Sequence, residues 1–349
     1  MKKRLLLFPI ALLFLVLYGC VSSRTPETTP TQIAEQSPDT KVYALVVKSV
    51  ENPYMTTMYE GFRTACEELG VQAMLKGPGE NALPGQPTIL QELLDQPVDA
   101  MAIAANDMAE ISPMLKEAGE KQIPVVSLDS MVYPEERKVH IQQASPETIG
   151  RVLIQACAKM MDYEGEFAIL TTTDTMPNQT IWLQWMKQEL EDHPDTYKNM
   201  RLVAVVYGMD EEKPSAEGTA YLVERYPDLK MIVAPTTMGL QAAAAELQRL
   251  GSKVRVTGLG LPSAMEPYIM NGMCPWMYLW NPSDVGYLAA YALDALSDGT
   301  AQGHADEVLS AGSLGEKIIT ESVDGGTEIV LGNPKVFDMT NIAVWGELF

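Results

Sequence analysis

Across 349 residues the chain sets 46 acidic side chains against 25 basic ones, a formal charge of −21 at pH 7. A surface that negative is repelled by nucleic acid and by anionic lipid headgroups, which argues against both as partners. The cysteines, Cys20, Cys66, Cys157 and Cys274, lack CxxC spacing, so neither a disulfide framework nor a zinc site is indicated, and no metal or cofactor is expected.

The N-terminus sets the compartment. Lys2, Lys3 and Arg4 precede an apolar run over 5–17, shorter than the roughly 20 residues that span a bilayer. A basic start followed by a short apolar stretch is the pattern of a secretory signal. It ends at Leu17-Tyr18-Gly19-Cys20, which resembles a bacterial lipobox and implies cleavage before Cys20 with a lipid on its thiol; an uncleaved signal anchor is the alternative. Losing Lys2, Lys3 and Arg4 takes the formal charge from −21 to −24. Residues 21–40 are rich in Ser, Thr and Pro without apolar periodicity, which predicts a flexible tether. The folded body then begins near Lys41, and the roughly 310 residues that remain are natural for two lobes rather than one core.

From there strands and helices alternate. The run 42–47 has the continuous apolar character of a buried parallel strand. Pro53 opens a helix and Gly70 ends it. A strand follows over 71–75, a helix around 88–94, a strand over 98–105, a helix over 111–120 and a strand over 123–128. After Pro146 the rhythm returns, with helices over 149–161 and 181–190 and strands over 167–171, 202–207, 231–234 and 254–257. This alternation predicts an α/β fold with parallel sheets. The stretches 99–129 and 229–259 share their rhythm, Met101, Ile103, Ala104 and Met108 pairing with Met231, Val233, Ala234 and Met238. Two similar lobes joined end to end would produce such a match, and so would generic α/β periodicity. Cys66, Cys157 and Cys274 read as buried free thiols, with one pair left open outside the cytoplasm.

Ligands of open parallel sheets bind beyond the carboxyl ends of the strands. In this chain Lys48, Asn52, Asn106, Asp107, Asp129, Thr172, Thr173, Asn178, Gln179, Thr236, Thr237 and Asn281 stand there, with Trp182 and Trp280 close in sequence. Amides and carboxylates suit the paired donor and acceptor demand of vicinal hydroxyls, and an indole covers the apolar face of a sugar ring. Each Asn, Asp or Thr taken singly fits a helix cap or a turn at least as well; their repetition in both halves favours a binding site. No GxSxG elbow, HExxH or GxxxxGK[ST] loop occurs, and His140, His193 and His304 are scattered, so no catalytic set is proposed. Gly258-Leu259-Gly260-Leu261-Pro262-Ser263 only approaches a dinucleotide fingerprint, because Ser263 replaces its third glycine.

Several segments together carry a family resemblance: ALVVKSVENPYM (44–55), VVSLDS (125–130), QASPETIGR (143–151), IVAPTTMGLQAAAA (232–245), TGLGLPSAM (257–265), YLWNPSDVGYLAAYALDAL (278–296) and VLGNPKVFDMTNI (330–342). From Lys41 to Phe349 the chain resembles the type I periplasmic-binding-protein family of sugar importers, in the branch of rhamnose-binding proteins and autoinducer-2 receptors. That resemblance implies two similar lobes, each a parallel-sheet α/β sandwich, joined by a multi-strand hinge. Lobe 1 would hold 41–144 and 277–309, lobe 2 145–276, and 310–349 would cross back through the hinge. It implies ligand contacts at Lys48, Asp129, Gln179 and the Pro235 carbonyl. Asn178 and Thr237 stand where autoinducer-2 receptors have aspartate and alanine, which tilts the expectation toward a deoxyhexose such as rhamnose. The implied function is that of a monomeric, non-enzymatic ABC-importer lipoprotein, anchored through Cys20, which closes on a small sugar and presents it to a membrane permease. An autoinducer-2 receptor is the alternative, and replacing Lys48 or Asp129 by alanine is expected to weaken binding without unfolding.

Overall fold

Continuous apolar runs bounded by turn residues build the first body. In the computed structural model, which describes residues 40–79 and 83–349, β1 (Val42–Val46) is buried along nearly all its length. Asn52 then caps α1 (Pro53–Leu69) by accepting from the Tyr54 amide, and Gly70 ends it at φ 72°. There follow β2 (Gln72–Lys76), α2 (Gln86–Leu94), β3 (Ala100–Ile103), α3 (Met108–Glu120), β4 (Val125–Leu128) and β5 (Val139–Gln142). The second body takes α4 (Pro146–Met160), β6 (Gly165–Thr171), α5 (Pro177–Asp192), α6 (Pro194–Tyr197), β7 (Met200–Tyr207) and α7 (Glu212–Arg225). It continues through β8 (Leu229–Ala234), α8 (Thr237–Leu250), β9 (Arg255–Gly258), α9 (Pro262–Met270) and β10 (Trp276–Leu279). The chain then runs through α10 (Pro282–Ser297), β11 (Val308–Ser310), β12 (Glu316–Ile318), β13 (Thr320–Glu321), β14 (Thr327–Val330), β15 (Lys335–Asp338) and α11 (Ile342–Gly346).

The larger sheet has the order β13-β14-β5-β4-β3-β1-β2, and the smaller β7-β6-β8-β9. All pairings from β2 to β14 and within the smaller sheet are parallel. Both sheets therefore begin with the same order, second strand, first, third, fourth. The two matching stretches of sequence fall on β3–α3–β4 and β8–α8–β9, the third and fourth strands of each sheet with the helix between them. The expected α/β fold with two similar lobes is what the chain adopts.

Two boundaries differ from expectation. The return to lobe 1 comes after β10 rather than at 277, because β10 pairs with β15 and lies beside the end of β9 through a Leu259–Tyr278 bridge. The tail does not simply cross the hinge: β14 joins the lobe 1 sheet beside β5 before β15 and α11 pass to lobe 2. Among the described residues three chain segments thus link the lobes, around 143–145, 280–281 and 331–334. Lobe 1 is closed by α10 lying against α1. Their contact needs bare backbone, since a Cβ on Gly61 would lie 1.9 Å from the Ser283 carbonyl oxygen and one on Gly286 1.9 Å from that of Met58. Cys66, Cys157 and Cys274 are buried and free, as expected, and burial pushes each thiol's pKa upward. Among the described residues no helix is long and apolar enough to cross a membrane. Cys20 and the residues to 39 lie outside the described part.

Candidate functional site

The carboxyl ends of both sheets point at one cavity, and the first residues past the strands supply most of its wall. Lys48 follows β1, Asp129 follows β4, Thr172 follows β6, Asp210 follows β7, Pro235 follows β8 and Leu259 follows β9. Helices add Tyr54 from α1, Asn178, Gln179 and Trp182 from α5, and Thr237 from α8, and the end of β10 adds Leu279 and Trp280. About 360 Å³ is free of protein atoms, mouth included, at the small end of the roughly 300–1,000 Å³ usual for small-molecule sites. Room for the centre of a water molecule is only about 40 Å³, so the two walls stand nearly in contact.

An ion pair anchors the lobe 1 wall. Lys48 Nζ lies 2.5 Å from Asp129 Oδ2, and both side chains are almost wholly buried, at 5% and 4% exposure. Asp129 Oδ1 accepts from the Tyr54 hydroxyl at 3.2 Å and from Gln143 Nε2 at 3.4 Å. Burial, reinforced by the Asp129 charge, holds the Tyr54 phenol well above its ordinary pKa, so it stays a donor. The Trp280 indole N–H donates to that same hydroxyl at 2.6 Å. Trp280 also stands edge-to-face with Tyr54, centroids 6.3 Å apart, and with Trp182 at 6.0 Å.

Lobe 2 answers with amides and hydroxyls. Asn178 Nδ2 crosses the cleft to Asp129 Oδ2 at 3.1 Å. Gln179 accepts from the Thr171 hydroxyl at 2.9 Å and donates to the Pro235 carbonyl at 2.8 Å, tying the end of β6 to the end of β8. The glutamine and the carbonyl expected at the ligand are therefore bonded to each other. The Asn178 Oδ1 and Trp182 Nε1 atoms are buried and have no protein partner among the described residues. A buried polar atom without a partner costs free energy, and these belong to side chains lining the cavity.

The cavity gathers Lys48, Asn52, Asp129, Thr172, Asn178, Gln179, Trp182, Pro235, Thr236, Thr237 and Trp280 of the expected set, and Asn281, Asn106, Asp107 and Thr173 lie outside its lining. Asn281 caps α10, accepting from the Ser283 amide at 3.1 Å and donating to Asp284 at 2.7 Å, and lines an outer groove instead. Asn106 braces the end of β1 by donating to the Lys48 carbonyl at 3.1 Å, while its own amide donates to Gln86 Oε1 at 2.8 Å. For both, the local capping and bracing geometry consumes the side chain. Asp107 caps α3 in the same way, and Thr173 accepts from the Met176 amide in a turn.

Asp210 escaped the sequence reading. It stands three residues beyond β7 on left-handed backbone, φ 58°, as does Met209 at φ 59°. Its Oδ2 accepts from Asn52 Nδ2 at 3.0 Å across the cleft, and its Oδ1 accepts from the Thr236 hydroxyl. Burial raises its carboxyl pKa, an effect that Thr236 and Lys48 only partly offset. The one signal for it was position: a polar residue just past a strand end, as at Lys48, Asp129 and Thr172.

The profile of the Periplasmic binding protein domain matches residues 43–301. A solute-binding protein of an ABC transporter from Clostridium phytofermentas, solved with bound L-rhamnose, is 39% identical; the match covers 89% of this chain and 99% of that one with a TM-score of 0.85. The D-ribose/D-allose-binding protein of Pseudomonas aeruginosa is 27% identical over 249 residues, which is 68% of this chain and 76% of that protein. LsrB from Clostridium saccharobutylicum, solved with AI-2, shares the fold at 18% identity and a TM-score of 0.80, with 87% and 99% of the two chains covered. Two similar lobes, a cavity at the strand ends and these matches agree: the chain belongs to the periplasmic binding protein family, among the solute-binding proteins of ABC transporters.

Proposed function

We propose that this protein captures a small neutral sugar of the rhamnose type between its lobes and delivers it to the permease of an ABC importer. It would act as a monomer held outside the cytoplasm by a lipid on Cys20, with residues 21–40 as the tether. The observation that carries the sugar reading is the cavity wall itself. It sets a lysine, two carboxylates and three amides, drawn from both lobes, beside the indoles of Trp182 and Trp280. Hydroxyls need such donors and acceptors in pairs, and the apolar face of a pyranose needs the rings. The 39% identity to a solved protein that holds L-rhamnose supports a deoxyhexose. Closure follows because a ligand touching both walls stabilises the closed arrangement over the open one, and only that difference drives the motion.

A thermal-shift and calorimetric screen of L-rhamnose, D-ribose, D-galactose and autoinducer-2 tests this reading. A sugar at a hundred times its Kd should add about 2.7 kcal/mol of stability, read as a raised melting temperature. No response to any sugar would sink the reading. A response to autoinducer-2 alone would favour the receptor alternative, for which Lys48 and Asp129 on the cavity wall are the supporting observation.

A further inference from the structure

Buried strands rarely carry polar side chains, yet β5 holds two. His140 and Gln142 are 0% and 2% exposed, two residues apart and so on one face of the strand. Their hydrogen bonds run in one direction. Gln142 Nε2 donates to the Ala144 carbonyl at 2.8 Å, which leaves Gln142 Oε1, 2.8 Å from His140 Nε2, as an acceptor. The imidazole therefore carries its proton on Nε2, and Nδ1 accepts from the Ser127 hydroxyl at 2.8 Å. Burial keeps the ring neutral by pushing its pKa from 6.5 to about 3. Three bonds in series thus run from β4 through the lobe 1 core to Ala144. Ala144 lies on the first segment that links the lobes, one residue before Ser145, which caps α4, the first helix of lobe 2. Among the described residues no other donor reaches its carbonyl. The Gln142 backbone carbonyl also accepts from the Leu331 amide at 2.9 Å, at the start of the third linking segment. One residue thus holds two of the three crossings at their lobe 1 end. Its neighbour Gln143 donates to the carbonyl of Asp129, on the cavity wall, at 3.3 Å.

We infer that Gln142 is a positioning residue for closure: it fixes the path by which the chain leaves lobe 1, and so biases the lobes toward the closed arrangement. The inference rests on the reading of a cleft that closes on its ligand. A hinge works through the backbone angles of a few residues, and a side chain that grips the carbonyl two residues ahead restricts those angles. The grip is present with the two cavity walls nearly in contact, so the angles it restricts are those of the closed form. Without it the first linking segment gains freedom that favours wider arrangements. The fraction of molecules able to close then falls, and apparent affinity falls in proportion.

Two variants separate this role from plain stability. Gln142→Met deletes the donor to Ala144, whereas Ser127→Ala breaks the same series at its far end, away from the hinge. Each leaves a buried polar atom without a partner, so both should melt at a lower temperature than the wild type. Calorimetry with L-rhamnose, D-ribose and D-galactose should then show at least fivefold weaker binding by Q142M, and binding within twofold of the wild type by S127A. Small-angle scattering of the ligand-free proteins should give Q142M the larger radius of gyration. A merely structural role would lower both melting temperatures and leave affinity unmoved; Q142M affinity within twofold of the wild type therefore overturns the inference. An equal loss of affinity in the two variants overturns it as well. If Q142M fails to fold, His140→Leu combined with Gln142→Met removes both partners at once, which is the milder change, and must show the same loss. A wild type that binds none of the three sugars overturns the sugar reading; the hinge role is then decided by the radius alone, and an unchanged radius refutes it.

Discussion

Lys48 and Asp129 are buried together, and that makes them unequal targets for mutation. Removing Asp129 would leave the Lys48 ammonium at 5% exposure without its carboxylate and would also release Tyr54, Gln143 and Asn178. Breaking a buried pair from one side typically costs about 3–5 kcal/mol. Lys48→Met leaves Asp129 with three neutral donors, so its loss should be the smaller. Urea denaturation should therefore rank Asp129→Ala well below Lys48→Met, with m unchanged; an equal ranking would contradict the hydrogen-bond assignment. Burial adds a stability cost to the weaker binding expected of alanine at either position. His140 offers a second test. It is enclosed between Ser127 and Gln142, each 2.8 Å away, and burial, with Arg137 nearby, depresses its pKa from 6.5 to about 3. The unfolded chain then binds a proton that the folded one refuses as pH falls through 6.5 toward 3. Stability present above pH 6.5 is lost in that window, by up to about 1.4 kcal/mol per pH unit. His140→Gln should flatten the slope between pH 6.5 and 5; an unchanged slope would exclude His140 as its source. Asp210, with its raised pKa, has the opposite sign and favours the fold at low pH.

At the scale of elements, packing between α1 and α10 decides more than their propensity does. Gly61 and Gly286 face the partner helix's backbone rather than its flexible side chains, so an added methyl has nowhere to go. Gly286→Ala must separate the helices, and overpacking of this kind costs about 1–3 kcal/mol. A drop in the thermal midpoint of several degrees should follow; an unmoved midpoint would mean that the helices are less closely packed. Nothing local in the sequence announces this contact, because α1 and α10 lie more than two hundred residues apart. Strands β1, β3, β4, β6 and β8 each carry an apolar run and could be read directly. β5 (VHIQ) hides His140 and Gln142 in the core as a hydrogen-bonded pair, so its polar letters disguise a buried strand. α7 buries only Ser215, Thr219 and Leu222, too faint an apolar face to read as a helix. The tail strands, two to four residues long, gain their structure from partners such as β5 and β10 that lie far off in sequence. In the site, strand-end position located most of the wall, but it could not separate Asn281, which caps α10, from Asn52, which caps α1 and reaches across the cleft as well.

For the whole molecule, the contacts that cross the cleft set the balance between open and closed. Two of them are hydrogen bonds to carboxylates: Asn178 to Asp129 at 3.1 Å and Asn52 to Asp210 at 3.0 Å. In each, one lobe supplies an amide and the other a charge, so neither closure contact sets two charges against each other. Asn178→Asp breaks that rule. Its new carboxylate would stand in lobe 2 at hydrogen-bonding distance from the Asp129 carboxylate in lobe 1. Two carboxylates sharing one site do not both stay ionised, and the pKa of one rises. Above that raised pKa the lobes repel, while below it a shared proton restores the bond. The substitution lies at the cleft and removes no core contact, so its effect should fall on closure rather than on folding. Small-angle scattering at pH 7.5 should show a larger radius of gyration than for the wild type, and sugar affinity should fall at least tenfold. Both should recover in part at pH 5, where the wild type changes little. A radius that is the same at both pH values, with affinity intact, would mean that Asn178 and Asp129 do not meet when the lobes close.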